Sequence, residues 1–335
     1  MTLRPWGLRA GQDGDASAII ALITSCWEEY PGVLMDVDGE NPELRALASY
    51  FSEAGGALWV AWDNGALIGM VAARPSKGTD WELCRMYVAQ TARGTGLADD
   101  LVRTAEDFAR ARGAARMHLW SDTRFDRAHR FYERCGYVRV GGIRPLLDIC
   151  NTLEFGYAKP LAGAEVWTLD IAAASSAARA LGRILKACVE DGASVSFMPP
   201  FTVADGEAFY RRKARDIAAG TRVLLVAWVD GVLTGSVTLD FDMPPNQPHR
   251  GDLQKLLVHP AHRRQGVART LMEAAENAAR KAGRRLLVLD TADHSGAEIL
   301  YRALDWVEVG SIPDFALSPA GVLEATTLFY KRVQD

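Results

Sequence analysis

The sequence lacks the features that mark membrane, secreted and nucleic-acid-binding proteins. No stretch is apolar for long enough to cross a bilayer. The short apolar run at 18–23 follows acidic residues and is more typical of a helix face than of a signal peptide. The formal net charge is −4, so no excess of basic residues is available for a general nucleic-acid surface. We therefore expect neither a membrane nor a nucleic acid as a partner.

Disulfide and metal signatures are also missing. The five cysteines are scattered and contain no C-x-x-C pair, which argues against a disulfide framework. The histidines at 118, 129, 249, 259 and 262 do not have the spacing of metal ligands. These absences predict reduced thiols, a cytoplasmic location and no metal.

An internal repeat organises the 335 residues, a length that suits about two domains. The segment at 58–62, Leu-Trp-Val-Ala-Trp, recurs as Leu-Leu-Val-Ala-Trp at 224–228. Further matches follow in the same order: Arg93 and Arg263, Gly96 and Gly266, Ala98 and Ala268, Gly113 and Gly283, Tyr132 and Tyr301. This order favours a duplicated domain over chance similarity between two α/β domains. A seam rich in Pro and Gly near 159–164 predicts domains at 1–160 and 163–335.

Each half has the same predicted order of elements. Two alternating strands flank Asn64-Gly65 in the first half and Asp230-Gly231 in the second, and both dipeptides favour tight hairpins with positive φ. A fourth strand, a polar loop, a long amphipathic helix and a buried fifth strand follow. Because a strand–helix–strand crossover joins parallel strands, the pattern predicts an α/β fold with a mixed sheet in each half.

The loop before each long helix is the most informative local motif. It reads Arg-Gly-Thr-Gly-Leu-Ala at 93–98 and Arg-Arg-Gln-Gly-Val-Ala at 263–268. A turn into a helix N-terminus directs free N–H groups at one point, glycine lets a phosphate approach the backbone, and the arginine adds positive charge. A Walker loop would need Gly-Lys-Ser/Thr and a Rossmann fingerprint a third glycine, and neither is present. The alternative to an anion site is an ordinary helix start.

With these loops and the elements around them, each half resembles the GCN5-related N-acetyltransferase (GNAT) family over nearly its whole length. The resemblance implies two tandem domains, each a twisted mixed sheet flanked by helices, with strands four and five splayed apart around acetyl-CoA. It implies that these residues bind the cofactor: Met86, Tyr87, Val88, Arg93, Gly94, Thr95, Gly96, Leu97, Ala98, Leu256, Leu257, Val258, Arg263, Arg264, Gln265, Gly266, Val267 and Ala268. The second half also resembles the tabtoxin-resistance type of acetyltransferase, at 192–195, 199–200, 254–259 and 289–291.

Acetyl transfer to an amine needs a base, because an alkylamine with a pKa of about 10.4 is mostly protonated at neutral pH. Glu82 and Asp252 stand at matching positions at the start of strand four and are the first candidates. Asp122 and Asp290, after strand five, are the second candidates. The alternatives are idle, solvated residues for the first pair and helix caps for the second.

The resemblance also implies an oxyanion donor and a general acid. The donor is a backbone N–H of strand four, within 86–88 and 256–258, which is free because splayed strands do not pair. Tyr132 and Tyr301 stand where the family has the acid that protonates the departing thiolate. Their alternative role is that of packed aromatic residues on amphipathic helices.

The sequence therefore predicts transfer of an acetyl group from acetyl-CoA to a primary amine of a small molecule, by direct attack through a tetrahedral intermediate. The alternative is that one half, or both, binds CoA without catalysis or serves as a scaffold. The acidic segment 27–43 favours a cationic acceptor for the first half, unless it is only a solvated loop. Phe125 and His294 replace the asparagine with which the family contacts pantetheine. We expect a monomer or a homodimer.

Overall fold

A computed structural model describes residues 6–293 and 295–333, so His294 lies outside the described residues. The chain divides into two compact units, one ending at Gly163 and the other beginning at Ala164. Within the described residues, no helix combines the length and the apolar character needed to cross a membrane.

The N-terminal unit is one seven-stranded mixed sheet with helices on its faces. Its elements are β1 (Gly7–Ala10), α1 (Ala16–Trp27), α2 (Leu47–Glu53), β2 (Ala57–Asp63), β3 (Ala66–Pro75), β4 (Asp80–Val88), α3 (Leu97–Arg110), β5 (Arg116–Asp122), α4 (Asp126–Arg134), β6 (Val138–Pro145) and β7 (Leu153–Pro160). The strand order is β1-β2-β3-β4-β5-β7-β6. Among its described strands, only β4 and β5 pair in parallel, because α3 forms the crossover between them.

The C-terminal unit repeats this arrangement with a second seven-stranded sheet. Its elements are β8 (Ala164–Leu169), α5 (Ile171–Glu190), α6 (Val203–Ala218), β9 (Arg222–Val229), β10 (Val232–Asp240), β11 (Arg250–Val258), α7 (Val267–Lys281), β12 (Leu286–Ala292), α8 (Ala297–Arg302), β13 (Val307–Leu317) and β14 (Leu323–Arg332). The parallel pair is β11 with β12. The predicted fold class, with two tandem mixed sheets, is confirmed.

The hairpin turns are also confirmed. Asn64 and Asp230 both have φ 47°, and the glycines that follow them have φ 78° and 82°. These left-handed values at both central positions match the twist of a two-residue hairpin, and asparagine, aspartate and glycine tolerate them best.

Each long helix lies unusually close to its sheet. Leu97 and Leu101 of α3 are fully buried over Gly69 of β3, where an added Cβ would come within 2.9 Å of the Leu97 side chain. Gly235 of β10 has the same position beneath Leu271 of α7, whose Cδ1 would be 3.1 Å away. Both glycines recur in the repeat because a larger residue would push the helix off the sheet.

Each long helix also carries a buried carboxylate. Glu106 of α3 accepts a hydrogen bond from the Tyr137 hydroxyl at 2.9 Å and pairs with Lys159 at 2.8 Å. In the second unit Glu276 of α7 pairs with Lys331 at 2.8 Å. These ion pairs join the long helix to the strand that ends each unit.

Candidate active sites

The central feature of each unit is a gap between its two parallel strands. The pairing of β4 with β5 is confined to Asp80–Glu82 against Arg116–His118. The pairing of β11 with β12 is confined to Arg250–Asp252 against Leu286–Val288. Both strands of each pair continue beyond these residues without hydrogen-bonding to each other, which is the predicted splay.

A bulge interrupts strand four just inside each gap. The register of β4 on β3, and of β11 on β10, shifts by one residue at this point. Arg85 and Lys255 have left-handed backbones there, with φ 48° and 53°. Met86 and Leu256 follow directly. A bulge re-aims the side chains and amides around it, so the two gaps are built in the same way.

The register beyond the bulge decides which amide faces the N-terminal gap. The N–H of Ala89 donates to the Ile68 carbonyl on β3 at 2.9 Å. Hydrogen-bonded and non-bonded pairs alternate along an antiparallel ladder, so the next pair, Gly69 with Val88, is a non-bonded one. The Val88 N–H therefore faces the gap, whereas the Tyr87 N–H is directed at β3.

The C-terminal gap has the same geometry. The N–H of His259 donates to the Thr234 carbonyl at 2.8 Å, so the preceding Val258 N–H faces the gap and the Leu257 N–H faces β10. Of the strand residues predicted to provide an amide donor, Val88 and Val258 direct their N–H groups into the gaps, whereas Tyr87 and Leu257 do not.

The loop into α3 carries unused amides. Gly94 and Gly96 have φ 76° and 94°, and Gly96 is the N-cap residue. The first backbone bond of the helix runs from Asp100 N–H to the Gly96 carbonyl at 3.1 Å. Among the described residues, no acceptor is present for the N–H groups of Gly94, Thr95, Gly96, Ala98 and Asp99. Such a cluster at a helix N-terminus suits a phosphate group.

The loop into α7 has the same shape with one substitution. Gly266 has φ 83° and caps the helix, and Arg264 takes the left-handed position that Gly94 has in the first unit, with φ 64°. In the described part of the chain, no acceptor is present for the N–H groups of Arg264, Gln265, Gly266, Ala268 and Arg269. Val267 is buried, as Leu97 is in α3, and anchors the helix start in the core.

The first arginine of each loop is already ion-paired. Arg93 donates through Nε to the Val88 carbonyl at 3.2 Å and through Nη1 to Glu29 at 2.8 Å. Hydrogen bonds from Arg93 lower the pKa of Glu29 to about 2. Arg263 likewise donates to the Val258 carbonyl at 3.4 Å and pairs with Asp191. These arginines link each loop to strand four and to an acidic residue just after α1 or α5. The sequence did not indicate these contacts.

The candidate base of the N-terminal unit lies in an ion pair. Glu82 is directly opposite Arg74 in the register of β4 and β3. Its Oε2 accepts from Arg74 Nε at 2.9 Å and lies 2.7 Å from Arg74 Nη2. Arg74 also donates to the Tyr50 hydroxyl at 3.1 Å. This carboxylate is therefore engaged by a guanidinium.

The candidate base of the C-terminal unit has a more loosely placed arginine, since Arg250 Nη2 donates to its Oδ2 at 3.5 Å. Asp252 lies opposite Asp240 in the register of β11 and β10. Its Oδ1 is buried and makes no hydrogen bond within the described residues, and Arg250 approaches it to 3.4 Å. Burial raises the pKa of Asp252, Arg250 opposes this rise, and Asp240 and Asp290 add to it. A carboxylate with a raised pKa and an unused oxygen is suited to accept a proton.

The second pair of candidate bases is less alike. Asp122 is buried and accepts from Arg124 through both the backbone N–H, at 2.8 Å, and Nη2, at 2.6 Å. Asp290 is exposed and, among the described residues, accepts only from the Thr326 hydroxyl, at 3.3 Å. Asp122 thus organises the turn after β5, while Asp290 remains accessible.

The two candidate acids occupy equivalent places. Tyr132 on α4 and Tyr301 on α8 are 6% and 5% exposed, and burial raises the pKa of each hydroxyl. Tyr132 packs near Tyr137 and Tyr157, and Tyr301 near Phe329. Within the described residues, neither hydroxyl has a hydrogen-bond partner. Each hydroxyl is consequently free to donate to a ligand, although its ring is also part of the core.

The geometry agrees with the result of a family comparison. The acetyltransferase (GNAT) family model matches residues 19–137 and 191–306, which together make up more than half of the chain. The chain belongs to the GNAT family. One match falls in each unit, so the GNAT domain is present twice.

Individual relatives of this GNAT protein match one domain's length. N-acetyltransferase 8F1 of Rattus norvegicus is 30% identical over 120 residues, which is 34% of this chain and 52% of the relative. The uncharacterized N-acetyltransferase YjgM of Escherichia coli is 30% identical over 103 residues, 30% of this chain and 62% of that protein. The chain spans about half the length of the curated relatives it matches. The structure of yncA from Salmonella typhimurium with acetyl-CoA is 19% identical, covers 52% of this chain and 95% of yncA, and has a TM-score of 0.43.

In the N-terminal GNAT domain the site residues line one cleft of about 990 Å³. It extends from Gly94 and Ala98 at the loop, past Tyr132, to Glu82 at the base of the gap. Tyr87, which the sequence marked only for its backbone, lines it too, and its hydroxyl accepts from Trp27 Nε1 at 3.2 Å. The cleft therefore joins the predicted phosphate, acid and base positions.

The acidic segment near this cleft is largely charge-compensated. Glu43 pairs with Arg85, and Glu40 accepts from the Ile149 N–H at 2.7 Å. Since Glu29, Asp38 and Glu43 pair with arginines, much of the segment's charge is already balanced. In the described ranges, no group of three or more His, Cys, Asp or Glu residues is arranged to hold a metal ion.

Proposed function

We propose that this GNAT protein transfers the acetyl group of acetyl-CoA to a primary amine of a small molecule. The observation that carries the proposal is the same in both units. A gap between parallel strands, with the N–H of Val88 or Val258 directed into it, lies beside a helix start at which five N–H groups have no acceptor among the described residues. The tabtoxin-resistance resemblance of the second half stays a prediction.

The loops and strands fit the donor as follows. The unused amides at 94–99 and 264–269 would receive the pyrophosphate, with the positive end of the helix dipole behind them. The Val88 or Val258 N–H would bond to the thioester carbonyl oxygen and stabilise the charge that develops there. Acetyl-CoA supplies an activated acyl group whose thiolate is a good leaving group.

The proposed transfer combines the formation of one bond, the cleavage of another and two proton transfers. The amine nitrogen attacks the thioester carbon, a new C–N bond forms, and the C–S bond breaks. The amine's proton passes to Asp252, directly or through water, in the C-terminal domain. Tyr301 gives a proton to the departing thiolate. Glu82 and Tyr132 have the corresponding positions in the N-terminal domain.

We propose unequal roles for the two domains. Asp252 has an unused oxygen and a pKa raised by burial, whereas Glu82 is engaged by Arg74. The C-terminal domain is therefore assigned the faster chemistry at neutral pH. The second candidate for the N-terminal domain is a site that binds CoA but turns over slowly, since Arg74 must release Glu82 before it accepts a proton.

A direct assay tests this proposal. The full chain is incubated with acetyl-CoA and a panel of primary amines, and thiol release and N-acetylated product are both quantified. Product formation that falls strongly in Asp252→Asn and less in Glu82→Gln supports the assignment. CoA binding without any acetylated product across the panel would favour the alternative hypothesis, in which the protein binds CoA without catalysis or serves as a scaffold.

A further inference from the structure

The bulge residue of strand four differs in chemistry between the domains. Arg85 and Lys255 have equivalent left-handed positions, and both are cations. Arg85 lines the N-terminal cleft and donates to Glu43, with Asn41 Oδ1 a further acceptor at 3.3 Å. Its charge is thus balanced by a neighbouring carboxylate.

Lys255 has no such balance. Its Nζ donates to the Ser196 hydroxyl at 3.1 Å and lies 6.0 Å from the centre of the Phe197 ring. Among the residues that the structure describes, no carboxylate comes within ion-pair distance of it. Burial lowers the pKa of this amine, while Asp290 acts in the opposite direction from further away. A partly buried ammonium without a counter-ion is unfavourable unless something else supplies the negative charge.

The position of Lys255 in the strand indicates which molecule could supply the missing negative charge. It lies three residues after the candidate base Asp252 and three before the Val258 amide, on the strand that borders the gap. The Ser196–Phe197 segment, which lies between α5 and α6 in the chain, contacts the Lys255 ammonium. Lys255 therefore lies on the gap-bordering strand, between the candidate base and the gap-facing amide in the chain.

We propose that Lys255 binds a carboxylate of the acceptor, so that the C-terminal domain acetylates amines that also carry a carboxylate group. This inference rests on the proposed acetyl transfer. The carboxylate forms a charge-assisted hydrogen bond with Nζ and restores the ion pair that Lys255 lacks. An uncharged carboxamide in its place leaves the ammonium unpaired, which weakens binding by about 10- to 100-fold. Arg85 offers no equivalent site because Glu43 already neutralises it.

The test compares matched carboxylates and carboxamides on the full chain. α-Amino acids and their amides serve as acceptors for acetyl transfer. N-acetylamino acids and their amides are titrated separately against the CoA-saturated protein by ligand-detected NMR. We expect the carboxylate to be favoured at least 10-fold in both measurements, the preference to disappear in Lys255→Met, and Lys255→Arg to retain most of it. Unchanged CoA binding by Lys255→Met confirms that the variant is folded.

Lys213→Met is the matched control, because Lys213 is a nearby lysine that pairs with Asp216 at 3.4 Å. It should leave the carboxylate preference unchanged. Equal use of carboxylates and amides by the native protein, or a preference that survives in Lys255→Met, overturns the inference while amine acetylation still supports the proposed function. Lys255-dependent carboxylate binding without transfer to any amine supports the anion site and contradicts the proposed function.

Discussion

Asp252 lies directly opposite Asp240 across β11 and β10, whereas the equivalent Glu82 lies opposite Arg74 across β4 and β3. The same backbone register thus places a carboxylate, which pairs with Arg222, beside one candidate base and a guanidinium beside the other. Like charge disfavours ionisation and opposite charge favours it. The two copies of the domain have diverged in the electrostatics of the base while keeping its position.

This relationship predicts a shift in pH dependence. Replacing Asp240 with asparagine removes a negative charge that raises the pKa of Asp252, so Asp252 loses its proton at lower pH. Since the base acts in its deprotonated form, the acid limb of the kcat/KM profile should move to lower pH. The profile is measured in a Glu82→Gln background, which silences the N-terminal base. Asp314→Asn, an exposed residue of β13, is the control for net charge. An acid limb that stays in place would contradict the role of Asp252.

The phosphate loops predict a local loss of CoA affinity. Gly96→Ala adds a methyl group at a left-handed position within the loop whose amides are proposed to bind the pyrophosphate. We expect the affinity of the N-terminal domain for CoA to fall about tenfold or more, measured by calorimetry, because about 1.4 kcal/mol of lost contact has that effect.

The control for this variant is Gly65→Ala in the hairpin. Gly65 also has a positive φ and no atom within 4 Å of an added Cβ, so it introduces similar backbone strain far from the loop. An equal loss of CoA affinity in both variants would mean that strain, rather than the ligand contact, is responsible.

Removing the Tyr301 hydroxyl tests the general acid. Tyr301→Phe keeps the buried ring and deletes a hydroxyl that has no protein partner among the described residues, so stability should hardly change. Turnover should fall by about 10²-fold with unchanged CoA affinity. Tyr132→Phe, assayed in parallel, shows whether the N-terminal domain contributes. Full turnover of Tyr301→Phe when chemistry limits the rate would mean that solvent protonates the thiolate.

The buried ion pairs predict a stability effect separate from catalysis. Lys159→Met leaves the Glu106 carboxylate buried with Tyr137 and Arg110 but without its ammonium partner. We expect the free energy of unfolding of the N-terminal domain to fall by about 1–3 kcal/mol, because Arg110 still pairs with Glu106. Urea denaturation followed by fluorescence measures this. A Glu106→Gln/Lys159→Met double variant should recover part of the lost stability. A Lys159→Met variant as stable as the native protein would contradict this prediction.

Local and repeated features of this protein were predictable from sequence. The Asn64 and Asp230 hairpins follow from the residue preferences of two-residue turns. The helix starts at Gly96 and Gly266 follow from a glycine at the junction of loop and helix. The repeat placed Tyr132 and Tyr301 at equivalent positions, and the structure finds both buried on matching helices.

Long-range charge pairing was not predictable. Arg93 meets Glu29 across 64 residues, and Glu106 meets Lys159 only because the last strand of the sheet returns beside α3. The bulge at Arg85 shifts the register by one, so the identity of the gap-facing amide and of the residue opposite Glu82 depends on strand pairing. A single sequence carries no signal for that pairing.

The most direct test of the account is the number of CoA molecules that one chain binds. Both domains have the splayed strands, the gap-facing valine amide and the unused amides at the helix start, so both should bind. Isothermal titration calorimetry of the full chain with acetyl-CoA should give two sites per chain. Gly96→Ala should weaken one of them and Gly266→Ala the other. Binding of one acetyl-CoA per chain, unchanged in Gly96→Ala or in Gly266→Ala, would contradict the claim that both domains bind acetyl-CoA. The absence of any binding would contradict it as well.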